Sequence, residues 1–160
     1  MAIEISLATT EDLPALVALL AMLFGQEREF MPDPARQQRG LERILANPAI
    51  GALFVAKHHV EETTQVVGMA NLLYSESTFL GGPVAWLEDV IVHPSWRSQG
   101  IGTTLLDHIK SFACTRGLLR ITLLTDFDNA AAMRRYEHAG FTRSSMVPMR
   151  IVFDSGVARR

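Results

Sequence analysis

The sequence has few of the features that mark a secreted or membrane-bound chain. It has one cysteine, Cys114, so no disulfide can form within the chain, which is typical of proteins from a reducing compartment. No apolar run approaches the ~20 residues of a membrane-spanning helix. The N-terminal residues Met-Ala-Ile-Glu-Ile show neither the basic region nor the apolar stretch of a signal peptide. We therefore expect a cytoplasmic protein with no membrane partner.

The chain also lacks an excess of charge of either sign. Lys and Arg total 15 and Asp and Glu total 17, for a net charge of −2. Domains that bind nucleic acid carry a basic surplus, so no nucleic-acid partner is expected. With 160 residues, 48% of them hydrophobic, and no internal repeat, the chain is long enough for one core. The composition predicts a single globular domain over residues 1–160.

The spacing of apolar residues predicts an α/β fold. After a cap at Thr9, apolar residues recur at helical spacing as far as Phe24. We predict further helices over 35–46, 100–116 and 129–139, and strands over 2–7, 52–57, 65–74, 84–92 and 119–125, with one or two more in 141–152. Residues 75–83 are predicted to form a loop. An antiparallel hairpin followed by strand–helix–strand crossovers predicts a mixed sheet with helices on both faces.

Residues 90–103, VIVHPSWRSQGIGT, combine a strand, a turn and a glycine-spaced loop that opens a helix. Backbone N–H groups at a helix N-terminus lack partners and carry partial positive charge. Gly100 and Gly102 have no side chains that would keep a phosphate away from these groups. This pattern is typical of a pyrophosphate-binding loop. The alternative interpretation is an ordinary glycine-containing turn before a helix.

Two common phosphate-binding loops do not fit this segment. The nucleoside-triphosphate loop requires Gly-Lys-Ser/Thr, which is absent. The dinucleotide fingerprint G-x-G-x-x-G requires a third glycine where this chain has Leu105, and it lies near the first strand rather than this far into the chain.

The segment instead resembles the acetyl-CoA signature of the GNAT superfamily of N-acetyltransferases. That signature, Gln/Arg-x-x-Gly-x-Gly/Ala after a strand, is matched by Arg97-x-x-Gly100-x-Gly102. A later family motif is similar to Asn129-x-x-Ala132-x-x-x-Tyr136-x-x-x-Gly140-Phe141. The two motifs occur in the family's order and have a predicted strand between them.

The resemblance implies a GNAT-type fold and acetyl-CoA as the co-substrate. It implies that Val90, Ile91 and Val92 lie along the pantetheine arm, and that the N–H of Ile91 or Val92 polarises the thioester carbonyl. It also implies that Asn129 bonds the arm, although capping the following helix is an alternative role. The residues expected around the pyrophosphate are Arg97, Ser98, Gln99, Gly100, Ile101, Gly102 and Thr103.

The resemblance also assigns catalytic roles. Tyr136 matches the family's usual general acid, which protonates the departing thiolate; packing in the core is the alternative. Glu88 is the first candidate for the base that deprotonates the amine, and ordering water or binding a cationic substrate is its alternative role. Glu88 should share the face of Val90 unless a bulge intervenes, and Asp89 should point the opposite way and bond a helix or loop. Asp126 and Asp128 are weaker candidates for the base.

The resulting hypothesis is an N-acetyltransferase in which an amine attacks acetyl-CoA directly in a ternary complex. The alternative is a non-catalytic module that senses acetyl-CoA. The acceptor is expected to be a small-molecule amine or a peptide N-terminus, and the sequence leaves open whether the chain forms a homodimer. Residues 27–30 are a candidate wall of the acceptor site, and a solvated helix end is the alternative interpretation. No metal is expected, because His58 and His59 have no third ligand nearby in sequence. Cys114 is expected in the core.

Overall fold

A five-stranded sheet in the order β1-β2-β3-β4-β5 forms the centre of the computed structural model, which describes residues 3–26 and 31–153. The first four strands are antiparallel, and β5 runs parallel to β4. The strands are β1 Ile3–Leu7, β2 Gly51–Val60, β3 Thr63–Ser77, β4 Gly82–Val92 and β5 Ile121–Leu123. The helices are α1 Leu13–Gln26, α2 Pro34–Ala46, α3 Ile101–Thr115 and α4 Ala130–His138.

Helices cover both faces of this sheet, as predicted. On one face, α1 and α2 bury Leu16, Leu20 and Leu41 against strand residues that include Met69 and Ile91. On the other face, α3 buries an apolar stripe against β2, β3 and β4. The buried residues of that second cluster are Phe54, Ala70, Leu72, Ala85, Leu87, Leu105, Leu106 and Ile109. Helices α1, α2 and α3 each bury one apolar stripe, and α4 adds the half-buried Tyr136 to the second cluster, so the two-sided sheet gives the helices on each face a surface on which to pack.

The helix that follows the glycine-spaced loop has the predicted limits. Gly100, at φ 81°, precedes its first turn, and Gly117, at φ 70°, follows its last. The N–H of Gly117 donates to the Cys114 carbonyl and that of Leu118 to the Ala113 carbonyl, both at 3.0 Å. These bonds satisfy carbonyls that the end of the helix would leave without partners, which is the role predicted for Gly117.

Two predicted elements are wrong. The loop predicted at 75–83 is shorter, because β3 continues through Ser77 and β4 begins at Gly82. No strand is present in residues 141–152, which are described and, after Phe141, exposed. Apolar residues do alternate from Val147, but a strand requires a partner edge, and no described strand pairs with this segment. Pro148 also removes one backbone donor.

Cys114 is exposed on α3, so its predicted place in the core is also wrong. The buried stripe of α3 runs through Ile109 and Ala113, and the next residue is rotated about 100° away from it. Within the part of the chain that the structure describes, no helix is both long and apolar enough to span a bilayer.

Candidate active site

A β-bulge interrupts the pairing of β3 with β4. Met69 pairs with Ile91 and Asn71 with Glu88, so two residues of β4, Asp89 and Val90, oppose a single residue of β3. Asp89 lies at φ 53°, in the left-handed region that Asp tolerates better than most residues. A bulge of this kind shifts the alternation of side chains by one position beyond it.

Because of this shift, Glu88 does not share the face of Val90. Leu87 and Val90 both pack in the α3 cluster, so Glu88 faces the α1 side. The bulge that this prediction allowed for is present, so Glu88 and Val90 lie on opposite faces of the sheet. Asp89 also departs from the prediction, because it bonds the Asn71 amide on the neighbouring strand rather than a helix or loop.

Beyond the bulge, β4 and β5 separate. Their parallel pairing covers only Ala85 to Leu87 on β4. A cavity of about 620 Å³ opens next to this pairing. The predicted residues that line it are Glu88, Val90, Ile91, Val92, Arg97, Ser98, Gly100, Ile101, Gly102, Thr103, Asn129 and Tyr136. The structure thus brings together every predicted catalytic or cofactor-binding residue except Gln99, whose side chain donates to the Ser95 carbonyl at 3.5 Å.

The main chain of β4 beyond the bulge has polar groups directed away from β3. The N–H of His93 donates to the Val67 carbonyl at 2.8 Å. Hydrogen bonds in an antiparallel pair alternate, so Ile91 directs its peptide groups towards β3 and Val92 directs its own to the open side. The Val92 carbonyl accepts the Arg97 Nε at 3.1 Å from that side. Of the two predicted carbonyl-polarising donors, Val92 is the one whose N–H faces away from β3.

The N-terminus of α3 lies at the end of this open strand. Among the described residues, no atom beyond the adjoining backbone lies within 4 Å of where a Cβ on Gly100 would be, so the space beside this residue is open. A Cβ at Gly102 would lie 3.7 Å from the Arg135 side chain, an ordinary contact that alanine would satisfy. Ser98 in this loop adopts φ 62°, in the left-handed region. The backbone N–H groups of the first helical turn therefore face space that an anion can occupy.

Two arginines lie beside the loop. The Arg97 guanidinium is fixed by the Val92 carbonyl and by Gln26 Oε1 at 3.3 Å, so it ties the loop to β4 and to the end of α1. Arg135 on α4 lines the cavity and approaches Gly102. Arg135 did not emerge from the sequence reasoning. Its helical spacing from Ala132, which also lines the cavity, would have placed it on that face.

Tyr136 and Asn129 border the cavity from α4 and its cap. The Tyr136 ring is half-buried and packs edge-on against Phe141, with ring centroids 5.8 Å apart. Asn129 Oδ1 accepts the Ala132 N–H at 3.1 Å, so the capping role considered for Asn129 is present. Asp126 also lines the cavity, whereas Asp128 is not among the lining residues.

Asp89 is a functional candidate that the sequence reasoning missed. Burial raises the pKa of its carboxyl to about 6, the charge of adjacent Glu88 adds to the increase, and the Asn71 hydrogen bond opposes it. Its sequence signal was two adjacent carboxylates in an otherwise apolar strand.

The remaining conspicuous residues have local partners. His93 Nδ1 accepts the Ser95 N–H, and the His58 ring packs on Trp96. His59 lies between Glu4 and Thr64, each at 2.9 Å, in a more open depression beside α1. Across residues 3–26 and 31–153, no group of three His, Cys, Asp or Glu side chains is placed to hold a metal ion. The candidate wall at residues 27–30 lies outside the described residues.

Comparison with known proteins agrees with this geometry. Residues 15–141 match the Acetyltransferase (GNAT) family, and the chain belongs to that family. It is 30% identical over 127 residues to the uncharacterised N-acetyltransferase YhfO of Bacillus subtilis, covering 78% of this chain and 82% of that protein. It is 31% identical over 128 residues to an aminoglycoside N(6′)-acetyltransferase type 1 of Klebsiella aerogenes, covering 74% and 80% of the two chains.

A solved structure described as a transcriptional regulator of Bacillus halodurans has the same fold. It superposes with a TM-score of 0.78 and is 31% identical, and the match covers 95% of this chain and 100% of that chain. The predicted GNAT-type fold is confirmed by these comparisons.

The raised pKa of Asp89 predicts a pH-dependent cost to stability. Between pH 3.8 and about 6 the folded protein retains a proton that the unfolded chain has released, so the free energy of unfolding falls as pH rises through this window. Asp89→Asn should remove this cost. At pH 7.5 we expect the variant to be more stable than wild type by about 2–3 kcal/mol in urea unfolding, with the difference gone below pH 3.8.

Asp107→Asn provides the control, because Asp107 is exposed on α3 and forms an ion pair with Lys110. Its stability should differ from wild type by less than about 0.5 kcal/mol at both pH values. A stability difference for Asp89→Asn that does not change with pH would contradict the assignment.

Proposed function

We propose that this protein is an N-acetyltransferase that transfers acetyl from acetyl-CoA to an amine, within one domain over residues 1–160. The observation that carries the proposal is the polarity of a single cavity. One end, where β4 finishes, holds a helix N-terminus with Arg97 and Arg135, and the other, at the β4 bulge, holds Glu88. An anionic co-substrate suits the first end and an amine suits the second.

The basic end has the features that a pyrophosphate requires. The backbone N–H groups from Gly100 to Thr103 supply donors with partial positive charge, and open space beside Gly100 allows close approach. Arg135 would add charge next to Gly102, while Arg97 would fix the shape of the loop. Asn129 Oδ1 is used by the cap, so its NH₂ group would bond the arm.

The open edge of β4 suits the pantetheine arm. Val90 to Val92 line the cavity where β5 no longer pairs, so an extended amide chain can bond this edge as a strand would. Acetyl-CoA supplies the acetyl thioester that the amine attacks. The N–H of Val92 faces away from β3, and we propose that it stabilises the negative charge that develops on the thioester oxygen.

Two side chains are proposed to transfer protons, one as a base and one as an acid. An amine with a pKa of about 10 is mostly protonated at neutral pH and must lose a proton before it attacks. Glu88 lines the cavity from the α1 side, and we propose that it receives this proton directly or through water. Tyr136 lines the cavity from α4, and we propose that its hydroxyl donates a proton to the departing thiolate. No covalent acetyl-enzyme is required in this direct attack within a ternary complex.

The acceptor is proposed to be a small-molecule amine or a peptide N-terminus. An aminoglycoside acetyltransferase among the relatives supports the first class, and a relative named as a ribosomal-protein alanine N-acetyltransferase supports the second. The alternative is a module that senses acetyl-CoA without turnover. Such a module would need neither the paired carboxylates nor the Tyr136 hydroxyl for chemistry. Measuring turnover with a panel of amines, through the free thiol that is released, separates the enzyme from the sensor.

Gly100→Glu should weaken acetyl-CoA binding by on the order of 100-fold or more, because it places bulk and negative charge in the proposed phosphate site. Isothermal titration calorimetry on protein treated with EDTA measures this. Gly40→Glu is the control, since Gly40 also has open space around it but lies on α2. Equal affinity in the two variants would show that the loop does not hold the pyrophosphate.

Glu88→Gln should lower the rate at neutral pH by about 10²-fold, because an amide cannot accept the amine's proton. The acid limb of the pH–rate profile should move to higher pH, where the ammonium group of the acceptor loses its proton to solvent without a base. Glu76→Gln on β3 is the control, because Glu76 is exposed and does not line the cavity. A profile unchanged from wild type would leave Glu88 with a binding or structural role.

Tyr136→Phe should lower kcat by about 10²-fold and change the affinity for acetyl-CoA only slightly, because it deletes one hydroxyl and keeps the ring. Stopped-flow measurement of thiol release gives the rate of the chemical step. The chain has only two tyrosines, so Tyr74→Phe is the matched control. Full turnover by a folded Tyr136→Phe protein would assign the proton to water or to the acceptor.

A further inference from the structure

Asn71 is a polar residue in the middle of the sheet. It is 3% exposed, on the central strand β3 and opposite Glu88. Its Nδ2 donates to an Asp89 carboxylate oxygen, whereas its Oδ1 accepts no hydrogen bond among the described residues. A buried amide with an unmet acceptor contributes poorly to stability. Its bond to Asp89 is therefore better explained by what it does for the site.

That bond acts on the strained part of β4. Asp89 adopts the left-handed conformation of the bulge, and its side chain bonds back to β3 through Asn71. The next carboxylate along the chain, Glu88, lines the cavity. Two adjacent carboxylates repel each other, and the Asn71 donor holds the Asp89 carboxylate against β3.

We propose that Asn71 is a positioning residue, whose hydrogen bond to Asp89 holds the β4 bulge in the form that presents Glu88 to the acceptor amine. This inference rests on the proposed acetyl transfer. Asn71 is not among the residues that line the cavity, so it acts through Asp89 and not by contact with substrate. The role of Asp89 in this arrangement is geometric: it accepts the hydrogen bond and adopts the left-handed turn.

Three variants separate this role from the alternative, in which the Asp89 carboxylate itself takes the proton. Asn71→Leu removes the donor and keeps the branched shape of the side chain with the same number of heavy atoms. Asp89→Gly keeps the left-handed conformation and removes the acceptor. Asp89→Asn keeps both the tolerance for this conformation and an oxygen that accepts from Asn71, and it removes only the charge. Glu61→Gly is the matched control, because Glu61 also has a positive φ, 51°, but lies in the β2–β3 turn.

The measurements are kcat and KM with an amine that wild type acetylates, the pH–rate profile, and the acetyl-CoA binding stoichiometry, which counts folded sites. We expect kcat per site to fall by about 10–100-fold in Asn71→Leu and Asp89→Gly, since a misplacement of about 1 Å has effects of this size. Asp89→Asn should keep a clearly higher kcat than Asp89→Gly, because it retains the hydrogen bond and the backbone conformation, and Glu61→Gly should stay within about threefold of wild type. Amide hydrogen exchange over residues 88–92, measured without acetyl-CoA, should accelerate only in the first two variants.

Wild-type kcat in Asn71→Leu would overturn the proposal. A loss in Asp89→Asn as large as that in Asp89→Gly would also overturn it, because the carboxylate charge would then be the requirement. If Asn71→Leu does not fold, the comparison of Asp89→Gly with Asp89→Asn decides alone. Failure of the proposed function looks different: wild type itself would then acetylate no amine, and the hydrogen-exchange result would still report whether Asn71 holds the bulge.

Discussion

The bulge at Asp89 and Val90 is the constraint on which the site depends. Regular pairing of β3 with β4 would place Glu88 and Val90 on one face of the sheet and remove the left-handed residue between them. With the bulge, Glu88 faces the α1 side, and β4 leaves β5 after three paired residues. The cavity between the separated strands is a consequence of backbone geometry rather than of large side chains.

The second determinant is the placement of charge around that cavity. A chain with a net charge of −2 has no general attraction for a highly anionic co-substrate. The positive potential is instead local, from the unpaired N–H groups of α3 and from Arg97 and Arg135. The carboxylates at the bulge supply the opposite potential a few residues away along β4. In the proposed reaction this polarity determines at which end of the cavity each substrate binds.

The sheet explains why these groups hold their positions. Each face is packed by a helix pair, so β4 is fixed from both sides while one of its edges stays open. Rigid strands and helices position reacting groups more precisely than loops do. Two polar residues within this apolar frame, Asn71 and Asp89, lie at the point where the strand departs from regular pairing.

The sequence determined the parts of this protein that depend on neighbours in the chain. Apolar spacing predicted both helix layers, and Arg97-x-x-Gly100-x-Gly102 predicted the loop, because helix caps and glycine turns are local. The strand predicted in 141–152 was wrong. Alternating apolar residues make a segment suitable as a strand, but a second strand must also be available to pair with it. Only the tertiary structure showed the bulge, the contact of Asn71 with Asp89, and Arg135 beside Gly102. Each of these depends on strand register or helix packing, which unites residues distant in sequence and which local patterns do not specify.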